Sequence, residues 1–366
     1  MIYIHVPFCR SFCIYCDFYS EVAGDGTGVP VCSATATPKA DASSRFTSIF
    51  ERYTEDLCAE IKARRDEIAA SSAVRTLYIG GGTPSLLPTG CLQKIVRCLS
   101  PERLWDEFTL EVNPEDIVER GPDYVRELLE LGVNRISMGV QSLDDGMLRW
   151  MNRPHSADGA REAFRILRDC GVRNISTDLI TGVPGMSMEM LEKTVEEMLV
   201  WRPEHISAYQ LSIEEGSALA KMTASGKVSE LPEEECRAQY DMLCSRLRRA
   251  GYHHYEISNW ALPVREAVHN SAYWTRAPYV GLGPGAHSLT YLDASGKAVR
   301  PGVMEAGTQR RSWNSQKPYG WSVEGSEILT AEEIREEEVM LLSRTEAGPI
   351  PEKDWFIADE LILEKV

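Results

Sequence analysis

Three cysteines near the start of the chain, Cys9, Cys13 and Cys16, follow the spacing C-x3-C-x2-C. Three thiols on so short a loop are odd for a disulfide set. They are also one short of a closed structural zinc site, which takes four ligands, commonly as two C-x2-C pairs. Only Cys13 and Cys16 form such a pair, so His5 or Asp17 would have to supply the fourth zinc ligand. An iron–sulfur cubane uses three thiolates differently, because it has four irons and leaves one free to bind a ligand from elsewhere. The spacing leaves zinc open and favours the cluster. The other seven cysteines (32, 58, 91, 98, 170, 236 and 244) are scattered and read as small, buried or half-buried side chains.

Further chemistry-bearing residues follow short apolar runs. Gly80, Gly81 and Gly82 end LYIGGG, with Thr83 behind them. Glycines there let a backbone approach a ligand closely, although a tight turn uses them equally. Glu111 sits in EVNPE, Gln141 in RISMGVQS, Arg153 in MNRPH and Asp178 in STDLITG. An array of strands must gather them. The β-rich runs 2–6, 76–80, 108–113, 135–140, 175–180 and 205–212 alternate with helical patterns near 46–70, 88–99, 121–131, 156–171 and 188–201. Strand then helix, five times over with a sixth strand, predicts a parallel sheet with right-handed crossovers. The expected fold is α/β, a partial (β/α)6 barrel with a smaller C-terminal α+β portion. Its candidate residues fall at the C-terminal strand ends, where barrel proteins place their sites.

The expected organisation is a core over 1–215, an accessory α+β portion over 216–329 and a short helical segment over 330–366. Residues 20–45, rich in Ala, Gly, Ser, Thr and Pro without a period, read as a long insertion. The chain has 366 residues, 43% of them apolar and 26% charged, as expected of an ordinary soluble globular protein. Lys and Arg number 39 against 55 Asp and Glu, giving a net charge of −16. That balance argues against a nucleic-acid partner. No run of about 18 apolar residues and no leader pattern is present, so the expected location is the cytoplasm.

The stretch CRSFCIYC, with Tyr15 beside the last cysteine, resembles the signature of the radical-SAM superfamily. The resemblance implies a [4Fe-4S] cluster on Cys9, Cys13 and Cys16, with S-adenosylmethionine (SAM) chelating the open iron. Electron transfer into the sulfonium then yields a 5′-deoxyadenosyl radical. The combination YIHVPFC, CDFYS, GGGTPS, RISMGVQS, DLITGVPG and HISAYQLSIEEG is similar to the oxygen-independent coproporphyrinogen III dehydrogenases and their relatives, over about residues 1–20 and 74–290. By motif, Tyr3, Gly81, Gly82, Thr83 and Glu111 would line cluster-bound SAM. Gln141, Arg153 and Asp178 would hold nucleoside or a second SAM, and Ser212 and His287 would flank the same cavity.

Two departures separate the chain from the dehydrogenases. They carry a fourth cysteine two residues past the third, where this chain has Phe18. C-x3-C-x2-C-x-F instead resembles the HemW family of haem chaperones, and HNSAYW over 269–274 resembles that family's H-N-x-x-Y-W motif. The resemblance implies haem as a further cofactor, with His269 as axial ligand and Tyr273 and Trp274 stacking on the macrocycle. His253 and His254 are alternative ligands. Arg310 and Arg311, or Arg246, Arg248 and Arg249, are candidate partners for haem propionates. Haem-accepting respiratory proteins are the implied partners, with membrane contact only through them, and a homodimer the implied assembly. The alternative function is radical decarboxylation of coproporphyrinogen III, so enzymatic activity stays open. EEEVMLLSRT, at the head of 330–366, resembles the start of that family's C-terminal helical domain, here short.

Overall fold

A computed structural model describes residues 1–23, 40–99, 104–301 and 308–358. Six parallel strands, Ile2–Val6, Thr76–Gly81, Glu107–Val112, Arg135–Gln141, Ile175–Thr181 and His205–Gln210, lie side by side in chain order. Their side chains obey the period of two. Ile2, Ile4, Leu77, Ile79, Phe108, Leu110, Ile136 and Met138 point outward into one apolar core under the helices. The alternate residues point inward and are polar: Tyr78, Glu111, Arg135, Ser137, Asp178 and Ser207 all line one cavity. A parallel sheet buried on both faces normally reads as a continuous apolar run. Here the polar alternation means that the barrel interior holds a site, not packing.

The sheet stays open. Val280–Leu282 joins it in parallel beside Ile2–Val6. Asn259–Ala261 and His253–Glu256 extend the other edge antiparallel, giving nine strands. The C-terminal portion therefore completes both edges of the first sheet as well as adding its own three strands, His287–Leu292, Thr308–Asn314 and Val323–Leu329. The helix Ala331–Leu342 closes this part, opened by a capping box between Thr330 and Glu333.

Two boundaries depart from the sequence expectation. The helix expected near 121–131 begins at Pro114, seven residues earlier, and runs to Glu130 with a break at Gly121 (φ 68°). Gly121-Pro122 reads as a helix start, because Pro cannot donate and Gly takes the left-handed region; here it is an internal kink. At the head of the expected insertion, Glu21–Val22 pairs in parallel with Phe8–Cys9. Of the insertion, residues 24–39 lie outside the described residues; the helix Ala40–Ala63 covers its end. No described helix is long and apolar enough to cross a membrane.

Candidate functional site

A cavity of about 580 Å³ opens at the C-terminal ends of the six strands. Cys9, Cys13 and Cys16 form part of its rim as free, half-buried thiols. The loop that carries them is tied down by backbone bonds from Ile14 N to Met151 O (3.3 Å) and from Leu219 N to Ile14 O (2.8 Å). The Asn152 side chain donates to Phe12 O (2.6 Å). Burial pushes the Cys9 thiol up and the Cys16 thiol up to about 11, so both hold their protons at neutral pH. Binding of a metal centre would release them. Among the described residues no three His, Cys, Asp or Glu side chains are placed to hold a single ion. A cubane takes one thiolate on each of three irons, so its ligands need not converge on a point.

One wall is a cradle. Gly80 has no room for a Cβ, which would lie 2.8 Å from Glu111 Oε1; at Gly82 it would lie 2.9 Å from Cys9 Sγ. Glu111 Oε1 accepts from the Tyr78 hydroxyl (2.6 Å) and Oε2 from Gly81 N (3.1 Å). Burial pushes the Glu111 carboxyl up to about 7, against the pull of its Tyr78 hydrogen bond. Arg153 reaches across the mouth. It donates to Cys13 Sγ (3.4 Å), Asn113 Oδ1 (2.6 Å) and Gly139 O (3.1 Å). Asn113 in turn donates to Thr83 Oγ1 (3.2 Å). Gln141 ends its strand with φ 63° at a register shift and faces the cavity. Asp178 accepts from Ser137 (3.1 Å) deeper in, with its carboxyl pushed up by burial.

The structure thus brings the three cysteines, Gly81, Gly82, Thr83, Glu111, Gln141, Arg153, Asp178 and Ser212 to one cavity. Tyr3 and His287 are outside its lining. The Tyr3 hydroxyl is turned onto His5 Nδ1 (3.0 Å), and His287 stacks toward Trp313 at the edge of the three-stranded sheet. Tyr78, Glu115 and Arg135 line the cavity without having been singled out, and Asn113, expected at the end of its strand, joins them. Among the described residues neither Glu115 carboxylate oxygen has a hydrogen-bond partner, although His155 Nδ1 stands 3.6 Å from Oε2, and Arg135 Nε has none either. Tyr78 was legible in principle, standing two residues before Gly80 on the same strand face.

His269, Tyr273 and Trp274 lie together on the helix Val268–Trp274, at the opposite end of the barrel from the cysteines. Glu107, at the start of its strand, accepts from the backbone N–H groups of Val268 (2.8 Å) and His269 (3.0 Å). The His269 ring is 1% exposed, with Nδ1 2.8 Å from Thr76 Oγ1 and Nε2 3.1 Å from the Tyr273 hydroxyl. It packs on Tyr78 at 5.1 Å, and burial lowers it to about 3, so it is neutral. In this conformation both ring nitrogens are occupied. Its neighbour Asn270 does line the cavity.

The alternative ligands are engaged too. His253 pairs with Glu266 and Glu346; His254 pairs with Glu352 and stacks on Trp260 at 4.2 Å. Four of the five candidate propionate arginines also have carboxylate partners: Arg310 with Glu67, Arg311 with Glu327 and Glu337, Arg246 with Glu192 and Glu196, Arg248 with Glu352.

Fold and site together define a β/α-barrel protein whose strand-end loops present thiols, a glycine cradle and a buried carboxylate to one polar cavity. The family model described as "Radical SAM superfamily" matches residues 3–198. The protein called heme chaperone HemW in Lactococcus lactis subsp. lactis (strain IL1403) is 30% identical over 359 residues, covering 96% of this chain and 83% of the relative. The protein of the same name in Bacillus subtilis (strain 168) is 30% identical, covering 94% and 83%. Among solved structures, coproporphyrinogen III oxidase (HemN) from Escherichia coli superposes with a TM-score of 0.66 at 18% identity, covering 93% of this chain and 74% of that one, a likeness of fold. The chain belongs to the radical SAM superfamily, and within it to the HemW family.

Proposed function

We propose that this chain is a haem chaperone that binds a [4Fe-4S] cluster, SAM and haem, and passes haem to haem-accepting respiratory proteins. The reading is carried by the cavity: three free thiols at its rim beside a glycine cradle and a buried carboxylate, in a chain whose curated relatives are named heme chaperones. The residues present fit the implied groups. Cys9, Cys13 and Cys16 would hold the cluster, and the lack of a Cβ at Gly80 and Gly82 lets the Glu111 carboxylate and the Cys9 sulfur stand close against that backbone, where the amino-acid end of SAM would meet Glu111. Cluster and SAM would supply one-electron reducing chemistry at the sulfonium. Glu111 binds a cation, Tyr78 and Gly81 aim its carboxylate, and Arg153 places positive charge beside the Cys13 sulfur. Phe18, 68% exposed on the cavity rim, stands where the dehydrogenases carry their fourth cysteine.

The test is anaerobic. Reconstituted protein with dithionite and SAM is given coproporphyrinogen III in one sample and titrated with haem in another. Stable haem binding seen in the Soret band, without protoporphyrinogen on chromatography, is the expected result. Multiple-turnover decarboxylation would establish the enzyme reading instead.

The pH dependence of SAM binding follows from Glu111. A carboxyl raised to about 7 is protonated below that pH and cannot pair with an ammonium. SAM affinity, measured by equilibrium dialysis on the reconstituted protein, is expected to rise several-fold from about pH 6 to about pH 7.5. Glu111→Gln should weaken SAM binding and flatten the profile. An unchanged profile would place the ammonium elsewhere.

A further inference from the structure

One buried carboxylate joins the three loops that build the cavity mouth. Asp116 is in the first turn of the helix Pro114–Glu130 and is fully buried. Its Oδ1 accepts from Arg10 Nη2 (2.6 Å) and Nε (3.0 Å), and Arg10 lies inside the cysteine loop, next to Cys9. Its Oδ2 accepts from the Ser85 hydroxyl (2.6 Å), just beyond Gly82 and Thr83. Ser85 Oγ in turn accepts from Asn113 N (3.3 Å), and Asn113 holds Arg153. Arg10 completes its fork on Glu119, one helical turn along (2.6 and 3.1 Å). Two guanidinium donors converging on one buried oxygen, with a two-oxygen fork on Glu119 beside it, fix direction as well as distance.

We infer that Asp116 and Arg10 are positioning residues that hold the cysteine loop in the geometry needed to take up the metal centre. This inference rests on the proposed function for the identity of that centre. The bonds at Phe12 and Ile14 hold the far half of the loop, and Arg10 holds the half next to Cys9. The loop's own elements are a two-residue strand at Phe8–Cys9 and a turn from Cys16 N to Cys13 O. Asp116 is unsuited to any direct role. Both its oxygens are taken, and it is outside the cavity lining, whereas its neighbour Glu115 is on it. The knot thus acts through the loop, setting the spacing of Cys9 and Cys13 against the glycine cradle.

The test uses Arg10→Gln, Asp116→Asn and the double variant. Amide hydrogen exchange on the metal-free full-length chain reads the loop without reference to any cofactor. Exchange over residues 9–17 is expected to quicken about tenfold in each single variant, with the rest of the barrel unchanged. The double variant should be no faster than the quicker single, because the two residues act as one unit. In reconstituted protein, the cluster absorbance of Arg10→Gln should bleach in air at least about threefold faster than wild type. Unchanged exchange in the loop, or equal quickening over the whole barrel, would overturn the inference. Arg10 is about a third exposed, so Arg10→Gln keeps the test decisive even if Asp116→Asn fails to fold. A wild-type chain that takes up no iron would overturn the functional reading instead, while the exchange data still decide the role of the knot.

Discussion

Replacing Cys9, Cys13 and Cys16 together by alanine is expected to give a folded chain that takes up no iron–sulfur cluster. The thiols are half-buried at a cavity rim, and the loop's order comes from backbone bonds and Arg10, none of which alanine removes. The melting temperature of the metal-free chain should therefore move by no more than a few degrees. Iron and sulfide after anaerobic reconstitution should fall to background. Each single variant leaves two thiolates for a four-iron cluster and should lose most of its iron as well. Cys236→Ser is the control. That thiol lies elsewhere, against Leu231 O, and its loss should leave cluster absorbance intact. A triple variant that keeps full iron and sulfide would remove the cysteine loop from the site.

The strand pattern was legible because the outward faces are apolar and the inward faces polar, and a period of two needs only local sequence. Five of the six strands were placed to within a residue at each end, and the sixth ends at Gln210 rather than at residue 212. Gly81, Glu111, Gln141 and Asp178 were legible from the same pattern, lying within or at the end of a strand, whereas Cys13, Cys16 and Arg153 lie in loops and were legible only through motif spacing and resemblance. What escaped was non-local. Thr76 and His269 meet across 193 residues, and Arg10 and Asp116 across 106. No period announces such a meeting, because it is fixed by how the completed sheet folds back on itself. Gly121-Pro122 hid the first turn of its helix, and with it Glu115, Asp116 and Glu119. The arginines marked for propionates illustrate the converse. Composition singles out a cationic pair such as Arg310 and Arg311, but only the fold shows carboxylates already facing them.

The barrel also links the histidine at its far end to the cavity beside the cysteines. Thr76, Tyr78 and Gly80 share one face of one strand, while Glu107 and Glu111 share one face of the next. Tyr78 touches both ends, with its hydroxyl on Glu111 and its ring on the His269 imidazole. A group bound against Glu111 and a group bound at His269 would therefore share a wall.

His269→Ala is expected to shift the Soret band of the haem complex and to weaken haem binding by at least about tenfold, or about 1.4 kcal/mol. The ring is neutral, as an axial ligand must be, and burial keeps it so far below neutral pH. Haem binding should accordingly hold steady from about pH 8 to about pH 5.5, the range that separates this imidazole from an ordinary one. Folding stability, by contrast, depends on pH. A histidine lowered on folding binds its proton more tightly when unfolded, so stability falls as pH drops through about 6.5 toward about 3. Both tautomers satisfy the two ring nitrogens, because Thr76 and Tyr273 each offer a hydroxyl that can donate or accept; in one of them Nδ1–H donates to Thr76 and Nε2 accepts from Tyr273. In that tautomer Nε2 would be the ligating atom, with Thr76 the partner that orients the ring. Ligation must first break the Tyr273 bond and open the helix over a side chain that is 1% exposed. Tyr273→Phe removes that competing bond and should tighten haem binding, whereas His269→Ala loosens it. The stability cost of His269→Ala, about 2–4 kcal/mol for a buried ring with two hydrogen bonds, is read separately by urea titration. Opposite signs for the two variants in haem affinity require ligation by His269. Unchanged spectra and affinity in both would leave the helix Val268–Trp274 as the plug that seals the barrel floor, with the haem iron held elsewhere.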